Sequence, residues 1–481
     1  MKTNQTKLIA AARTALGPKG VITDSDEIAP WLADWRGRYH GKAYAILAPN
    51  SREEVAAIVT LAGEYGVALV PQGGNTSMVG GATPPADGRA LILSLRRMNR
   101  IRSLSTSDNL VVAEAGVILA DLHAAAHEQQ RRFPLTLGAR GSATIGGLVS
   151  TNAGGTQVLR FGTMRSLVAG IEAVLPDGSI HDGLAALKKD NRGYDLTQLL
   201  VGAEGTLGVI TAATLRLVPA IVSRAVAWVG VADPEAALRL LRAMEAETAA
   251  IESFEILPDD SLQAVLRHIP GTRAPLSSSQ SWHVLIEAVS GDDDGAPAVM
   301  LEHLLGAALE RGDAADAVVS ASEAQADAFW RIRDSISEAE RATGPAAQHD
   351  ISVPVAAMPR FMVEAAAACD ARFPGTHASG FGHLGDGNVH FHVRSAAGAD
   401  PVRWYAEHAP AITRFVNDLV VDAGGSISAE HGIGQMKLAE LERLSSPARM
   451  AALRAVKTGL DPANLMNPGK LVSLAQGDDA P

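Results

Sequence analysis

The sequence predicts an α+β fold with two main domains. The first half begins with a strand, a helix and a second strand that leads into a glycine-rich loop, and more short strands follow. From about residue 220, strands alternate with alanine-rich helices. With 481 residues and 47% apolar content, the chain is long enough to form two or three hydrophobic cores.

Local signals define the opening elements. A first strand is predicted over residues 43–47. Ser51 is predicted to cap a helix over residues 52–65, with Glu54 as its capping-box partner. The second strand, residues 68–71, leads into the glycine loop. Further short strands are predicted over residues 90–95, 110–115, 167–175 and 208–217.

The pattern changes near Pro219, where we place the main domain boundary. Beyond it we expect an antiparallel sheet with flanking helices. The predicted strands are 225–231 and 282–288, and the predicted helices are 234–249, 297–311 and 321–343. The predicted division is an N-terminal helical segment (1–42), a first domain (43–219), a second domain (220–425) and a C-terminal segment (426–481) that completes the active site.

Charge and cysteine content restrict the class of protein. The net charge is −11 and the pI is about 5.7, which argues against binding to nucleic acid or anionic membranes. A single cysteine, Cys369, excludes an internal disulfide and indicates a reducing compartment. The N-terminus is too polar for a signal peptide, and no window holds about 18 uninterrupted apolar residues. We therefore expect a cytoplasmic protein.

Three glycine-rich loops indicate a binding site for an anion. They cover residues 73–81, 138–155 and 202–208. Glycine lets backbone N–H groups approach a pyrophosphate closely because it lacks a Cβ and tolerates positive φ. A single loop of this kind is equally compatible with a plain surface loop, but three of them favour a cofactor. None ends in Gly-Lys-Ser or Gly-Lys-Thr, so backbone dipoles, not a lysine, would hold the anion.

One further glycine motif is misleading. Gly380, Gly382 and Gly385 match the G-x-G-x-x-G spacing of dinucleotide-binding folds. A predicted strand, residues 388–393, follows the motif where a dinucleotide fold requires a helix. We therefore reject it as a nucleotide signature.

Two histidines flank a glycine turn in this same region and are candidate metal ligands. His383 and His390 lie on either side of the turn, and Glu430 is the predicted third ligand. Such histidines can also be ordinary hydrogen-bonded strand residues. Asn388, His390 and His392 alternate with apolar residues, which places them on one face of a strand and makes His392 a rival ligand.

Several motifs together resemble the FAD domain of the vanillyl-alcohol-oxidase type flavoproteins, also called PCMH-type. Within that group, the chain resembles the D-lactate and D-2-hydroxyglutarate dehydrogenases over residues 35–470. The motifs of the FAD domain cover residues 71–76, 141–142, 145–147, 151–155, 190–195 and 202–208. The patterns at 383–390 and 428–434 are similar to the metal and catalytic motifs of these dehydrogenases.

The resemblance implies a bound FAD whose pyrophosphate crosses residues 73–75 and 141–142, with Asn152 and Gly154 near the flavin and Ile210 near the adenine. The first loop has no histidine, so we expect the FAD to be noncovalent. The implied FAD contacts are Pro71, Gln72, Gly73, Gly74, Asn75, Thr76, Ser77, Gly80, Glu114, Pro134, Leu135, Gly138, Gly141, Ser142, Ile145, Gly146, Thr151, Asn152, Gly154, Glu204, Gly205, Val209, Ile210 and Asn467.

The implied reaction is oxidation of a small D-2-hydroxy acid to the 2-oxo acid by hydride transfer to the flavin N5 atom. A divalent metal, with zinc favoured, polarises the hydroxyl group. His431 is the expected base, Asn388 orients the substrate, and Asp350 orients a metal ligand. D-2-hydroxyglutarate, D-malate and D-lactate are the candidate substrates.

Three residues are predicted to bind the substrate in addition to Asn388. Arg333 lies within the apolar stripe of the helix predicted at 321–343, so it needs an anion, which is either an internal carboxylate or the substrate. Ser337 shares its face one turn later. Relatives acting on D-2-hydroxyglutarate tend to have a lysine at the position of Gln348, which leaves contact with a second carboxylate open.

Two other functions fit the same fold. One is an FAD-dependent transferase of the alkylglycerone-phosphate synthase type, and the other is the FAD subunit of a complex like glycolate oxidase. The complete histidine and Glu-His motifs favour the dehydrogenase. We expect an electron-transfer flavoprotein or a quinone as electron acceptor, and a homodimer.

Overall fold

The computed structural model describes residues 2–293 and 295–474, and it confirms the predicted α+β fold. The end of the predicted C-terminal segment, residues 475–481, lies outside the described residues. The chain forms two compact units. Unit 1 comprises residues 1–155, 162–219 and 430–481, and unit 2 comprises residues 156–161 and 220–429.

Eighteen strands and eighteen α-helices cover the described residues. Strands β1–β18 are, in order, Val21–Ile22, Ile46–Leu47, Ala68–Gln72, Ala90–Ser94, Ile101–Ser105, Leu110–Glu114, Arg131–Arg132, Val168–Val174, Ile180–Gly183, Val209–Arg216, Val218–Pro219, Ser223–Val231, Ile251–Pro258, Trp282–Ser290, Asp316–Val319, Ala346–Ser352, His377–His383 and Asn388–Arg394. Helices α1–α18 are Lys2–Leu16, Ser25–Ile28, Arg52–Tyr65, Leu119–Glu128, Ile145–Thr151, Val158–Phe161, Met164–Leu167, Leu196–Leu200, Pro234–Glu247, Asp259–His268, Ala296–Arg311, Glu323–Asp334, Ile336–Thr343, Met358–Arg372, Pro401–Glu407, Ala409–Asp422, Leu438–Leu444 and Pro447–Leu460.

Unit 1 contains two main sheets. The first has the strand order β1-β2-β4-β3, in which β4 runs parallel to both β2 and β3. The second is antiparallel with the order β5-β6-β10-β8-β9. Helices α1 and α3 share an apolar core with the first sheet, which includes Leu8 of α1, Ile58 of α3 and Leu69 of β3. Burial of these side chains is the main force that holds this part of the unit together.

Helix α3 shows how local sequence sets an element. Ser51 accepts a hydrogen bond from the Glu54 N–H at 3.2 Å, and Gly66 ends the helix in the left-handed conformation at φ 60°. The Glu54 carboxylate accepts from the Asn50 N–H at 2.7 Å. In a regular capping box it would accept from the N–H of the next residue, Ser51. The helix therefore begins and ends where predicted.

Unit 2 is built on one seven-stranded antiparallel sheet with the order β15-β12-β14-β13-β17-β18-β16. Apolar residues on one face pack with α9, α11, α14 and α16, and Cys369 is buried among them. The opposite face packs with α10, α12 and α13 around Trp228 and Phe381. Because side chains alternate along a strand, each strand contributes to both layers. The second layer also carries the polar cluster described below.

Two expectations about the elements need correction. The helix predicted over 321–343 is two helices, α12 and α13, which meet at Ser335. Serine hydrogen bonds locally and is a weak helix former, so the apolar stripe continues while the helix does not. The strand predicted over 43–47 is reduced to β2, because only Ile46 and Leu47 pair with neighbouring strands.

The chain passes from one unit to the other at two main points. One is at 219/220, beside the boundary predicted near Pro219, and the other is at 429/430, where the prediction was 425/426. The short segment 156–161 belongs to unit 2, although it lies within the predicted first domain. Among the described residues, no helix is long and apolar enough to span a membrane.

Candidate active site

The first glycine loop of unit 1 packs against the second at very short range. A Cβ added to Gly74 would lie 1.9 Å from the Ser142 carbonyl oxygen, and one added to Gly73 would lie 2.2 Å from Thr144 Oγ1. Only glycine allows this approach of two backbones. The two loops that we predicted to hold the pyrophosphate are therefore adjacent.

Polar atoms without protein partners lie in the same region. Among the described residues, Thr144 Oγ1, Gln72 Oε1 and Asn467 Oδ1 are buried and accept no hydrogen bond. Buried polar atoms in native proteins nearly always have a partner. A polar ligand fits these atoms and the glycine contact, so the residues present are compatible with FAD.

The remaining predicted FAD contacts also lie in unit 1, but two of them have other partners. The Glu114 carboxylate is paired with Arg100 at 2.9 Å and Arg102 at 3.2 Å. The Glu204 carboxylate accepts the backbone N–H groups of Ile433 and Gly434, each at 2.7 Å. Both carboxylates therefore have protein partners, and their contact with FAD stays a prediction.

The histidine hairpin is the centre of the polar cluster in unit 2. Strands β17 and β18 pair so that His383 lies opposite Asn388, and the ring centroids of His383 and His390 are 5.7 Å apart. Val389 and Phe391 point to the apolar core on the other face. The predicted alternation therefore brings the two candidate ligands together on one face of the sheet.

A buried carboxylate, Glu255 on β13, links two members of this cluster. Its Oε1 accepts from His383 Nδ1 at 2.6 Å, and its Oε2 accepts from Arg333 Nε at 2.8 Å. Burial alone would raise the pKa of Glu255, but Arg333 and His383 together hold it below its usual range. The internal carboxylate that we considered as the anion for Arg333 is therefore present. Arg333 Nη2 also lies 3.4 Å from His383 Nε2.

His390 and His392 have different environments. Burial and the neighbouring groups His383 and Arg333 lower the pKa of His390 well below 6.5, which favours the neutral imidazole that coordinates metals. His392 Nδ1 instead bonds to the buried Glu340 carboxylate. The rival ligand therefore has only its Nε2 atom available.

Asn388 joins this cluster to strand β16. Its Nδ2 donates to Asp350 Oδ1 at 3.0 Å and to the Ile351 carbonyl at 2.9 Å. Its Oδ1 is buried and has no partner within the described residues. Burial raises the pKa of the neighbouring Asp386. Asn388 therefore presents a fixed amide oxygen that accepts no hydrogen bond from the part of the chain that the structure describes.

The other predicted site residues are placed as follows. Gln348 on β16 lies directly opposite His392 on β18. Ser337 is in the first turn of α13, after the break at Ser335. Glu430 and His431 are the first residues of the last segment of unit 1. The preceding residue in the chain is Ala429.

Sequence reasoning missed three carboxylates, Glu204, Glu255 and Glu340, as structural partners. Glu255 lies in a strand whose other residues are mostly apolar and buried. An acidic residue in such a strand requires a charged or hydrogen-bonding partner, and this is the signal that could have revealed it.

Comparison with known proteins places the chain in a family. Residues 222–471 match the family described as FAD linked oxidases, C-terminal domain, and residues 43–183 match the FAD binding domain. The D-2-hydroxyglutarate dehydrogenase of Xanthomonas citri pv. viticola is 36% identical over 449 residues, 93% of each chain. The mitochondrial enzyme of that name from Arabidopsis thaliana is 36% identical over 467 residues, 97% of this chain and 81% of its own. The chain belongs to the FAD-linked D-2-hydroxyacid dehydrogenase family. It is an FAD-dependent oxidoreductase.

The relatives also include an enzyme that is named for a second activity. D-2-hydroxyglutarate–pyruvate transhydrogenase of Saccharomyces cerevisiae is 32% identical over 456 residues, 93% of this chain and 90% of its own. The family is thus recognisable over nearly the full chain in plants, bacteria and yeast.

Solved structures confirm the predicted vanillyl-alcohol-oxidase type fold of this dehydrogenase. The structure of p-cresol methylhydroxylase has a TM-score of 0.74 at 14% identity and covers 100% of this chain and 99% of its own. Alkyldihydroxyacetonephosphate synthase has a TM-score of 0.72 at 15% identity and covers 96% and 86%. At such identities the likeness concerns the fold alone.

The contact of the two glycine loops leads to a prediction. We expect Gly74→Ala to separate them, because its Cβ would overlap the Ser142 carbonyl, and the purified variant should contain less than about a tenth of the wild-type FAD. Flavin absorbance per protein is the measurement. Gly63→Ala, in the interior of α3 with no atom within 4 Å of the new Cβ, is the matched control and should keep its FAD. Full FAD content in Gly74→Ala would show that FAD binding does not require the close contact between the two glycine loops.

Proposed function

We propose that this dehydrogenase oxidises a small D-2-hydroxy acid to the corresponding 2-oxo acid. The observation that carries the proposal is the polar cluster in unit 2, in which His383, His390 and Asn388 share one face of the sheet and Arg333 of α12 contacts Glu255 and His383. Relatives more than 30% identical over nearly the whole chain are named for D-2-hydroxyglutarate. We include D-2-hydroxyglutarate, D-malate and D-lactate in the substrate class.

Arg333, Glu255 and Asn388 have different roles in the proposed binding of the substrate. Arg333 is only 14% exposed in its side chain and stays positively charged, so it is suited to anchor the C1 carboxylate. Glu255 holds the guanidinium through Nε and limits its movement. Asn388 Oδ1 is a fixed acceptor that would orient the substrate hydroxyl before its proton passes to His431. Together these groups would bind the carboxylate and hydroxyl of a 2-hydroxy acid.

We assign proton removal to His431. Imidazole titrates near neutral pH and can accept the hydroxyl proton while the C2 hydrogen leaves as hydride. FAD, when bound, supplies N5 as the acceptor of that hydride. The unpartnered Thr144, Gln72 and Asn467 atoms of unit 1 would donate to or accept from the cofactor.

We propose His383, His390 and Glu430 as ligands of a divalent cation, with zinc favoured. The donor set suits zinc, which prefers nitrogen and carboxylate oxygen. Neutral His390 is ready to coordinate, and Glu255 holds His383 through Nδ1, as outer carboxylates commonly hold metal-bound histidines. The cation would act as a Lewis acid that lowers the pKa of the substrate hydroxyl.

Other parts of the proposal concern the cellular setting. We propose an electron-transfer flavoprotein or a quinone as the electron acceptor, a cytoplasmic location and a homodimer.

Anaerobic bleaching of the flavin by a panel of D- and L-2-hydroxy acids, with the metal content of the same sample, is the direct test of the function. Bleaching by L-acids alone would contradict the proposal.

His431→Ala should slow flavin reduction by the substrate by about 10²- to 10⁴-fold, because the base that accepts the hydroxyl proton is lost. Stopped-flow absorbance under anaerobic conditions measures the rate, and FAD content should not change. His303→Ala, on the exposed side of α11, is the control and should react like wild type. An unchanged reduction rate in His431→Ala would exclude the histidine as base.

Removal of the metal should abolish activity, since the hydroxyl then keeps its high pKa. Dialysis against a chelator should leave less than about a tenth of the activity, and added Zn²⁺ should restore it. Metal analysis of variants separates the ligands: His390→Ala should lose the metal, whereas His392→Asn should retain it because His392 is outside the proposed ligand set. Full activity of metal-free enzyme would remove the cation from the proposal.

Gln348→Lys should shift preference toward acids with a second carboxylate. A lysine at this position places a cation opposite His392, where relatives that act on D-2-hydroxyglutarate tend to carry one. The ratio of kcat/KM for D-2-hydroxyglutarate to that for D-lactate should rise about tenfold, which corresponds to ~1.4 kcal/mol. Gln348→Met, of similar length without charge, should not raise the ratio. The same ratio in the lysine and methionine variants would show that position 348 does not contact the distal group.

A further inference from the structure

Glu204 is a buried carboxylate in the third glycine loop, and its side chain has protein partners. It is 8% exposed, and its backbone has φ 51°, the left-handed region that a non-glycine residue rarely adopts. Its own N–H donates to the Ser150 carbonyl at 2.8 Å, and Asn467 Nδ2 donates to its carbonyl at 2.7 Å. The residue is thus fixed at the backbone from two sides.

The carboxylate of Glu204 binds the turn that follows His431. Oε1 accepts the Ile433 N–H and Oε2 accepts the Gly434 N–H, both at 2.7 Å. Gly432 and Gly434 have φ values of 80° and 52°, which turn successive N–H groups toward one side in an anion-binding nest. In this chain an internal carboxylate is the anion in the nest.

The surroundings leave the carboxylate little freedom to move. A Cβ on Gly432 would lie 2.7 Å from Glu204 Oε1, and one on Gly81 would lie 3.6 Å from Oε2. Burial raises the pKa of Glu204, while the two N–H groups and the charges of Lys437 and Lys470 oppose that rise. The two hydrogen bonds to the turn therefore hold the Glu204 side chain in one position.

The turn itself is attached to the FAD loops at further points. The Gln435 N–H donates to the Val79 carbonyl at 3.1 Å, and Gln435 Nε2 donates to the Gly80 carbonyl at 2.9 Å. The Leu471 N–H donates to the Gly434 carbonyl at 3.1 Å. Glu204 contributes the two shortest of these contacts, and the nearest in sequence to His431.

We propose that Glu204 is a positioning residue for His431: by binding the Ile433 and Gly434 N–H groups, it fixes the base relative to the loops that bind FAD. This inference rests on the proposed role of His431. Proton removal requires the imidazole to meet the hydroxyl at hydrogen-bond distance, and a displacement of about 1 Å can cost about 10²-fold in rate. Loss of the nest contact should therefore slow the chemical step without removing FAD.

Glu204→Gln is the sharpest variant because it keeps the size of the side chain. Its amide presents one acceptor and one donor to two N–H donors, so one of the two contacts is lost. Flavin reduction by D-2-hydroxyglutarate should slow about 10- to 100-fold, with little change in the KM and in FAD content. Reoxidation of the dithionite-reduced enzyme by ferricenium, which does not use the base, should proceed at the wild-type rate.

Two further variants test a merely structural role. Glu172→Gln removes another buried carboxylate of unit 1, which is paired with Arg102 and Arg52. It should lower the melting temperature and leave flavin reduction unchanged. Glu204→Asp keeps the charge but is one methylene shorter, so it should fold and show a reduction defect. A normal reduction rate in Glu204→Asp together with one in Glu204→Gln would overturn the inference.

A double-mutant cycle with His431→Ala decides whether Glu204 acts through the base. If it does, Glu204→Gln should change the reduction rate of His431→Ala by less than about twofold. Full multiplication of the two effects would overturn the inference while leaving His431 as the base. A normal rate in His431→Ala itself would overturn the proposed base and this inference together, so the two failures are distinguishable.

Discussion

Glu255 is a carboxylate buried in the seven-stranded sheet of unit 2, and the polar cluster depends on its pairing. An unpaired buried charge is strongly unfavourable, and removing one partner of a buried pair typically costs about 3–5 kcal/mol. Glu255 therefore requires both His383 and Arg333, and it fixes the imidazole through Nδ1 and the guanidinium through Nε. The candidate ligand and the candidate anchor are thus oriented by the same group, and neither can move independently of the other.

Unit 1 uses the same principle with backbone donors in place of side-chain donors. Here the buried carboxylate, Glu204, accepts from backbone N–H groups in a turn, and the charges of Lys437 and Lys470 oppose the rise of its pKa on burial. The resulting constraint fixes a backbone segment and not a side chain. In both units a buried carboxylate needs hydrogen-bond donors, and it holds those donors in a defined position. Groups held in this way are preorganised for the reaction.

The sequence was informative where a property depends on nearby residues. Helix α3 has its cap and its terminal glycine within the segment itself, and the alternation along β18 needs only neighbouring residues to place His390 and Asn388 on one face. The pairings that fix the site join residues far apart in sequence: 78 positions separate Arg333 from Glu255, 128 separate His383 from it, and 229 separate Glu204 from Ile433. Such pairings depend on the tertiary fold, so a local pattern can indicate that a buried acid needs a partner but cannot identify it.

The register of β16 and β18 places the residues proposed for the chemical step apart from those proposed for substrate preference. His383, Asn388 and His390 occupy the hairpin end of the sheet, where the reacting carbon would be bound. Gln348 and His392 form a cross-strand pair further along, with Glu340 hydrogen bonded to the imidazole. Neighbouring cross-strand side chains lie about 5 Å apart, so substitutions at one affect the surroundings of the other. If the distal end of the acid contacts this pair, substrate preference can change there while the residues that perform the chemistry stay the same.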